Sequence, residues 1–278
     1  MDDSVNFLRT NYPEIIVIEN TTNCGFSGNT NQGIFAAQKD LVLILNSDVE
    51  LTPGYFNPLL SYFEKEDTFG VSGRIIAMDG EKIQDGAKFP EYSYTNIIST
   101  KNYISKDTDS LPTLFMSGAN ALIDREKLVT MGGFNEMYNP YYSEDVDLGL
   151  RAWRLGYQLY YDHRAICKHP NSATIKKESS KKVKTISKRN KMYVHFFHLN
   201  GLELCLFMTK TTIKALFRLL VLDFNFFKSF QLFLGNTHDL RKKKREFEKL
   251  ESGVQIKSIP EVIQTIQSKI KGLEIVKF

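Results

Sequence analysis

The strongest constraint on the fold is a run of five apolar residues, Leu41–Leu45, that ends at Asn46, Ser47 and Asp48. A continuous apolar run is typical of a strand that helices cover on both faces of a sheet. Strand-like and helix-like patterns alternate around it through the first two thirds of the chain. The alternation predicts an α/β fold with a mostly parallel sheet.

Hydrophobic periodicity assigns the individual segments. Strands are predicted at residues 14–20, 41–46, 70–78, 158–162 and 165–169, and helices at 30–39, 53–66 and 143–157. The last helix has Ser143 as its N-cap and Gly156 as its stop. Residues 115–134 predict a strand, a short helix and a Gly-Gly turn, whereas the polar, Tyr-rich segment 79–112 is interpreted as a functional or mobile loop with short strands.

Composition excludes several classes of protein. A net charge of +4 over 278 residues is too small to indicate a nucleic-acid binder. Cys24, Cys167 and Cys205 form no CxxC pair, so neither a disulfide framework nor a thiolate zinc site is expected, and a reducing cytoplasm fits best. No apolar run is long enough for a signal peptide or a membrane-spanning helix.

The polar residues at the ends of predicted elements are the candidates for chemistry. Asp48 follows a buried strand, where a carboxylate can bind a divalent cation that also contacts a diphosphate, or can simply cap a turn. Glu144 and Asp145 begin a helix, where they can serve as a general base and its orienting neighbour or merely favour the helix dipole. His169 ends a strand and can complete a metal site with Asp48 or be structural.

Five motifs in order carry a resemblance to a known family. They are "NCGFSGNTNQGI", "LILNSDVELTPGY", "SGANALIDREKLVTMGGFNEMY", "YYSEDVDLGLRAWRLGY" and the strand-end His169. Together they resemble the family 2 glycosyltransferases with the GT-A fold, and within them bacterial rhamnosyltransferase-like members. The resemblance covers residues 2–170 and implies a catalytic domain at 1–175. The change to a lysine-rich composition after His169 predicts a separate basic, amphipathic helical region at 176–278.

The resemblance implies roles for individual residues. Asp145 and Glu144 are expected to be catalytic, with Asp145 as the general base, and Asp48 and His169 are expected to bind Mg²⁺ or Mn²⁺. Nucleotide-sugar and acceptor contacts are expected at Asn31, Asn46, Gly118, Ala119, Asn120, Arg151 and Trp153. For the last two an alternative stays open, in which Trp153 packs in the core and Arg151 pairs with Asp147 four residues away.

The resemblance further implies that the chain begins after the family's first strand, helix and second strand. The expected function is inverting transfer of a sugar from a UDP- or dTDP-linked donor to a saccharide or lipid-linked acceptor in bacterial surface polysaccharide synthesis. The alternative is a truncated, transferase-like module that binds a saccharide or a protein without turnover.

The C-terminal region suggests where such a protein acts. Lys210, Lys214 and Arg218 recur every four residues among Phe and Leu, as in helices that lie in a membrane interface. The same helix can instead pack on the catalytic domain or on a second subunit. We therefore expect a cytoplasmic protein with peripheral contact to the inner face of the plasma membrane, no nucleic-acid partner, and an oligomeric state left open.

Overall fold

A computed structural model describes residues 3–80, 82–93, 96–170, 179–250 and 256–278. The strands are β1 (Leu41–Leu45), β2 (Glu50–Leu51), β3 (Thr68–Ile76), β4 (Ile83–Asp85), β5 (Ala87–Ser93), β6 (Asn96–Ser105), β7 (Ser110–Pro112), β8 (Asn120–Asp124), β9 (Gln158–Lys168) and β10 (Ile275–Lys277). The α-helices are α1 (Ser4–Asn11), α2 (Gly25–Ala36), α3 (Arg125–Thr130), α4 (Glu144–Arg154), α5 (Ser180–His198), α6 (Gly201–Leu220), α7 (Phe224–Gly235), α8 (Thr237–Leu250) and α9 (Ile259–Lys269).

The main sheet is mixed, which corrects the predicted mostly parallel arrangement. Its order is β1-β8-β3-β9-β2, with β4 added to β3 and β7 added to β9. Strands β1, β3 and β9 point in one direction, but β8 runs between β1 and β3 in the opposite direction. Because β8 separates two parallel strands, β3–β9 is the one parallel pair among the strands that the structure describes.

The direction of β8 has a consequence for one edge of the sheet. The carboxyl ends of β1, β3 and β9 meet there, and β8 begins there because it runs the other way. In α/β sheets the loops beyond this edge are where ligands bind. Residues from four loops therefore converge at this edge.

The segment predicted as a loose loop is largely ordered. Strands β5, β6 and β10 form a second, antiparallel sheet, in which β10 comes from the very end of the described chain. The last strand corrects the expectation that everything after the catalytic domain is helical. The polar, Tyr-rich composition concealed this sheet because one of its strands is contributed from about 170 residues away.

Three further predictions are wrong. Residues 14–20 form no strand, and no described strand pairs with them. Residues 53–66 form turns and a 3₁₀-helix, Leu60–Glu64, since Pro58 lacks an N–H and Gly54 has a positive φ. The two strands predicted at 158–162 and 165–169 are one strand, β9, with a register shift near its middle.

The C-terminal helices pack directly on the α/β part. One hydrophobic cluster contains Leu128 and Trp153 together with Phe196, Phe233 and Ile263 from the later helices. The expected boundary between regions falls partly in 171–178, outside the described residues. None of the helices in the described ranges is long and apolar enough to cross a membrane.

Helix α4 approaches the chain before β8 so closely that Gly149 is required. A Cβ at Gly149 lies 2.6 Å from the carbonyl oxygen of Leu114 and 2.6 Å from Cβ of Phe115. We expect Gly149→Ala to lower the free energy of unfolding by about 1–3 kcal/mol, because the backbone must move to make room. Urea unfolding of purified variants measures the change.

Gly33 in α2 is the matched control, because a Cβ there has no described atom within 4 Å. We expect Gly33→Ala to leave stability unchanged or to raise it by about 0.5–1 kcal/mol, since alanine favours a helix. Equal effects of the two substitutions would contradict the close approach of α4.

Candidate functional site

The polar triplet after β1 lies at the edge where three strands end. The backbone N–H of Asn46 donates to the carbonyl of Ala119, 3.2 Å away, since Leu45 pairs with Asn120 across β1 and β8. The N–H of His169 donates to the carbonyl of Ile76 at the end of β3, at 3.0 Å. These backbone bonds tie the end of β1 to the start of β8 and the end of β9 to the end of β3, at the same edge of the sheet.

Asp48 and His169 are brought together by the short strand β2. After a turn closed by the N–H of Val49 and the carbonyl of Asn46, Glu50 pairs with Lys168. The Asp48 carboxylate is consequently 3.3 Å from His169, measured from Oδ1 to Nε2. The structure thus brings together the two predicted metal ligands, from positions more than a hundred residues apart.

A cavity of about 350 Å³ opens beside this pair. Five predicted site residues line it: Asn46, Gly118, Ala119, Glu144 and His169. Its other lining residues are Phe26, Ile75, Gln84, Asp85, Ser117, Tyr141 and Tyr142. The site is therefore assembled from segments before, inside and after the main sheet.

Gly118 is needed at this cavity because of its neighbour Phe26. A Cβ at Gly118 lies 2.7 Å from the Phe26 ring, so any larger residue must push the ring away. The ring also packs edge-to-face against Phe134. The glycine lets the chain before β8 pass beneath an aromatic wall of the cavity.

Glu144 is the buried carboxyl group of the cavity. Its side chain is 8% exposed, and its Oε2 atom has no hydrogen-bond partner among the described residues. Burial, together with the neighbouring Asp145, raises the pKa of Glu144 to about 8. A buried polar atom without a partner costs stability and is a common feature of binding sites.

Asp145 takes a different direction from Glu144. It is half-buried, accepts a hydrogen bond from the N–H of Val146 at 2.8 Å, and does not appear among the described residues that line the cavity. Burial raises the pKa of Asp145, and the nearby Lys88 ammonium on β5 opposes this change. Glu144 thus lines the cavity, whereas Asp145 lies outside it, within electrostatic range of a Lys88 ammonium that pairs with Asp85.

The loop that delivers Glu144 is held by α5. Tyr142 and Ser143 have φ values of 76° and 74°, a left-handed conformation that non-glycine residues rarely adopt. The Asn190 amide nitrogen lies 2.6, 2.9 and 2.8 Å from the carbonyl oxygens of Tyr138, Tyr141 and Tyr142. Asn190 therefore holds a strained backbone in place immediately before the catalytic candidates.

Asn190 was missed by sequence reasoning. It lies in a lysine-rich helix, about 50 residues after the loop that it supports, and no local pattern marks it. Gln84 and Asp85 were missed as well because segment 79–112 was interpreted as a loop. Tyr141 and Tyr142 could have been found, since they directly precede Ser143 in the predicted helix-start motif.

Four predicted binding residues perform structural tasks instead of lining the cavity. Arg151 is buried and donates to Asp147 at 2.8 Å and to the carbonyls of residues 131 and 133, which is the pairing that the sequence left open. The indole of Trp153 donates to the carbonyl of Thr113 at 2.9 Å and is fully buried. Both hold α4 in the core.

The other two are buried asparagines. The side chain of Asn31 donates to the carbonyl of Phe134 at 2.9 Å and accepts from its N–H at 2.8 Å, so it ties α2 to the segment after α3. Asn120 donates to the carbonyl of Gly73 at 3.0 Å and to Cys167 Sγ at 3.1 Å. Neither side chain lines the cavity described above.

The donor set suits a cation that is shared with a bound ligand. Two ligands bound next to each other on one ion, at about 2.1 Å from it, lie about 3 Å apart, close to the separation of Asp48 Oδ1 and His169 Nε2. Across the described ranges, no three His, Cys, Asp or Glu side chains cluster into a metal site. The protein thus offers two ligands and leaves the remaining positions to a substrate or water.

Comparison with known proteins finds a family model that matches the first part of the chain. Residues 2–132 match the model of "Glycosyl transferase family 2". This segment, slightly less than half of the chain, is similar to family 2 glycosyltransferases. The matched segment contains Asn46, Asp48, Gly118 and Ala119, whereas Glu144 and His169 follow it.

Two curated relatives are also glycosyltransferases. The chain is 26% identical over 167 residues to the pre-mycofactocin glycosyltransferases of two Mycobacterium tuberculosis strains, covering 59% of this chain and 34% of each relative. The chain therefore spans about a third of the length of these relatives.

A solved structure superposes on nearly the whole chain. A crystal structure of GalNAc-T7 with UDP, GalNAc and Mn²⁺ superposes with a TM-score of 0.66 at 14% identity, covering 96% of this chain and 48% of that one. The mannosyltransferase PcManGT of Pyrobaculum calidifontis, in complex with GDP-Man and Mn²⁺, gives a TM-score of 0.48 at 12% identity, covering 96% and 71%. The GalNAc-T7 match, together with the family model, shows the GT-A fold.

The raised pKa of Glu144 predicts a stability change with pH. Between its ordinary value near 4.5 and its folded value of about 8, the folded protein holds a proton that the unfolded chain has released. The wild type therefore loses stability as the pH rises through this window. We expect Glu144→Gln, which cannot lose this proton, to be more stable than the wild type by about 1–3 kcal/mol near pH 8.5 and similar to it near pH 5. Urea unfolding at both pH values measures the difference.

Glu126, an exposed residue of α3, gives the control. We expect Glu126→Gln to change stability by less than about 0.5 kcal/mol at both pH values. A Glu144→Gln variant that is no more stable than the wild type at the higher pH would contradict the raised pKa of Glu144.

Asn190→Ala tests the support of the loop before α4. The substitution leaves buried carbonyls without a donor, so we expect a loss of about 1–3 kcal/mol in the free energy of unfolding. Lys184→Ala, at an exposed position of the same helix, is expected to have an effect under about 0.5 kcal/mol. Chemical denaturation of the two variants in parallel measures both changes in the free energy of unfolding. Equal losses in the two variants would argue against the role of Asn190.

Proposed function

We propose that this protein is a metal-dependent, inverting glycosyltransferase. It moves a sugar from a UDP- or dTDP-linked donor to a hydroxyl of a saccharide or lipid-linked acceptor. The observation that carries the proposal is the 3.3 Å pair of Asp48 and His169 beside a cavity lined by Glu144, whose buried Oε2 atom has no hydrogen-bond partner among the described residues. Metal ligands and a proton acceptor are the two groups that this reaction needs at opposite ends of the sugar.

The first group acts on the leaving diphosphate. Asp48 and His169 hold the divalent cation, Mg²⁺ or Mn²⁺, which when bound neutralises the negative charge of the departing diphosphate. Asp48 is partly exposed and lies on a turn that a diphosphate can reach from solvent. Asn46 follows the same strand and can donate from its amide to the donor.

The second group acts on the acceptor. The Glu144–Asp145 pair accepts the proton of the attacking hydroxyl, and such help is typically worth about 10²–10⁴-fold in rate. The resemblance assigns this role to Asp145. Glu144 lines the cavity, which makes it the member of the pair nearer to a bound acceptor.

The wider role follows from the same resemblance. We place the protein in the cytoplasm of a bacterium, with peripheral contact to the inner face of the plasma membrane, in rhamnosyltransferase-like surface polysaccharide synthesis. Nucleic acid is not among the proposed partners. The family match and the donor-type cavity support the transfer chemistry, whereas the C-terminal helices support the membrane contact.

Calorimetric titration with UDP and dTDP tests the donor site. We expect binding that requires Mn²⁺, because Asp48 and His169 are proposed to contact the diphosphate through the cation. Asp48→Ala is expected to weaken this binding by about tenfold to a hundredfold, as one carboxylate ligand is lost.

Asp40, an exposed residue at the opposite end of β1, provides the control variant. We expect Asp40→Ala to bind both nucleotides as the wild type does. Metal-independent binding, or equal loss in both variants, would contradict the site. Metal-dependent binding without release of UDP from any UDP-hexose would instead indicate the alternative, a module that binds without turnover.

A further inference from the structure

A second, strongly basic pocket lies between α5, α6 and α7, in the region that follows the GT-A fold. Its volume is about 250 Å³, and five cationic side chains line it: Lys188, Lys191, Lys210, Lys214 and Arg218. The residues named in the candidate functional site do not contribute to it. Such a concentration of positive charge is suited to a phosphate group.

The base of the pocket is apolar. Phe207 and Phe226 are buried beneath the cations, and the ammonium groups of Lys188 and Lys214 lie 5.6 and 5.1 Å from the centre of the Phe226 ring. These cation–π contacts hold both lysines over the ring. The pocket therefore combines a charged rim with an apolar floor, which matches a phosphate that carries a hydrocarbon chain.

Charge around the pocket is almost entirely of one sign. The sequence from 179 to 222 contains nine Lys or Arg residues and a single acidic residue, Glu203. The Glu203 carboxylate accepts a hydrogen bond from the hydroxyl of Tyr92, and Arg218 pairs with Asp223 at 3.3 Å. The excess of positive charge on this surface attracts an anionic partner.

The outward face of α6 is apolar. Leu202, Leu206, Ile213, Phe217 and Leu220 are 74, 43, 62, 59 and 81% exposed. They are three, four or seven residues apart, so they share one face of the helix. An exposed apolar face of this length on a helix marks an interaction surface.

The basic row borders this face. Lys210 is three residues from Ile213 and four from Leu206, and Lys214 is three residues from Phe217, so the cations run along the edge of the apolar face. The opposite side of the helix, with Phe207 and other buried residues, packs on the protein. The helix thus has an exposed apolar face, a basic border and a buried opposite face. This arrangement is typical of a helix that lies in a membrane interface.

We propose that this pocket binds the phosphate of an anionic membrane lipid while the outward face of α6 lies in the bilayer interface. Charge favours a lipid over a second copy of this chain, because pairing two α6 helices brings two rows of lysines together. The site holds the protein on the membrane and needs no sugar donor. Its failure is therefore distinguishable from failure of the proposed transfer activity.

Flotation of the full chain with lipid vesicles tests the proposal. We expect binding to vesicles that contain phosphatidylglycerol, weaker binding to pure phosphatidylcholine, and a steep loss with salt. The triple variant Lys210→Gln, Lys214→Gln and Arg218→Gln is expected to bind about 100-fold more weakly, since each basic residue contributes about a factor of five.

A second variant and a control separate the two parts of the surface. Ile213→Ser, Phe217→Ser and Leu220→Ser remove the apolar face at exposed positions and are expected to abolish flotation while circular dichroism stays unchanged. A control removes equal charge from the exposed surface of α8 through Lys242→Gln, Arg245→Gln and Lys249→Gln. We expect this control to bind within about twofold of the wild type, because its charges lie away from the pocket.

Tryptophan fluorescence gives an independent readout. The sequence has one native Trp, which is buried, so Phe217→Trp reports on the outward face of α6. A blue shift of its emission with anionic vesicles supports insertion. Absence of flotation, equal loss in the α8 control, or calorimetric binding of inorganic phosphate without vesicle binding overturns the proposal.

Discussion

The structure depends on one buried carboxylate, Asp147. It accepts hydrogen bonds from Tyr138 at 3.1 Å, Arg151 at 2.8 Å and His198 at 3.0 Å, which come from the turn before α4, from α4 itself and from α5. Burial opposes its ionisation, but the charge of Arg151 and the bond from His198 keep its pKa below the ordinary value. Removal of this anion leaves a buried guanidinium unpaired, which is among the costliest changes in a protein interior.

The same contacts join the two halves of the molecule. Burial lowers the pKa of His198 to about 4, so the ring is neutral and one nitrogen donates to Asp147 while the other faces Arg154 at 3.4 Å. Asn190 lies on the same helix and supports the loop that precedes Glu144. The C-terminal helices thus position the catalytic candidates as well as presenting the proposed lipid site.

Two features near the cavity lower the stability of the folded protein. Glu144 has a buried oxygen without a described partner, and Tyr142 and Ser143 adopt left-handed backbone conformations. Each of these features costs free energy, and the dense network around Asp147 compensates for them nearby. A rigid support next to a buried carboxyl suits the proposed role of the Glu144–Asp145 pair as proton acceptor, because the position of the pair must hold while its protonation changes.

The sequence by itself determined the features that depend on neighbours along the chain. The apolar run of β1, the start of α4 and the Arg151–Asp147 pair four residues apart follow from local periodicity. The ordered motifs further indicated the family. Residues 14–20 show the limit of this reasoning, since an apolar alternating segment forms a strand only when a partner is present.

Only the tertiary structure decided which of these residues meet. It brought His169 to Asp48, turned Glu144 and not Asp145 into the cavity, and used Arg151, Trp153, Asn31 and Asn120 to hold elements together. It also placed Asn190 against the loop before α4 and paired β10, at the end of the chain, with β6. These choices arise from contacts between residues 18 to 170 positions apart, whose free energy depends on packing and burial that no local pattern encodes.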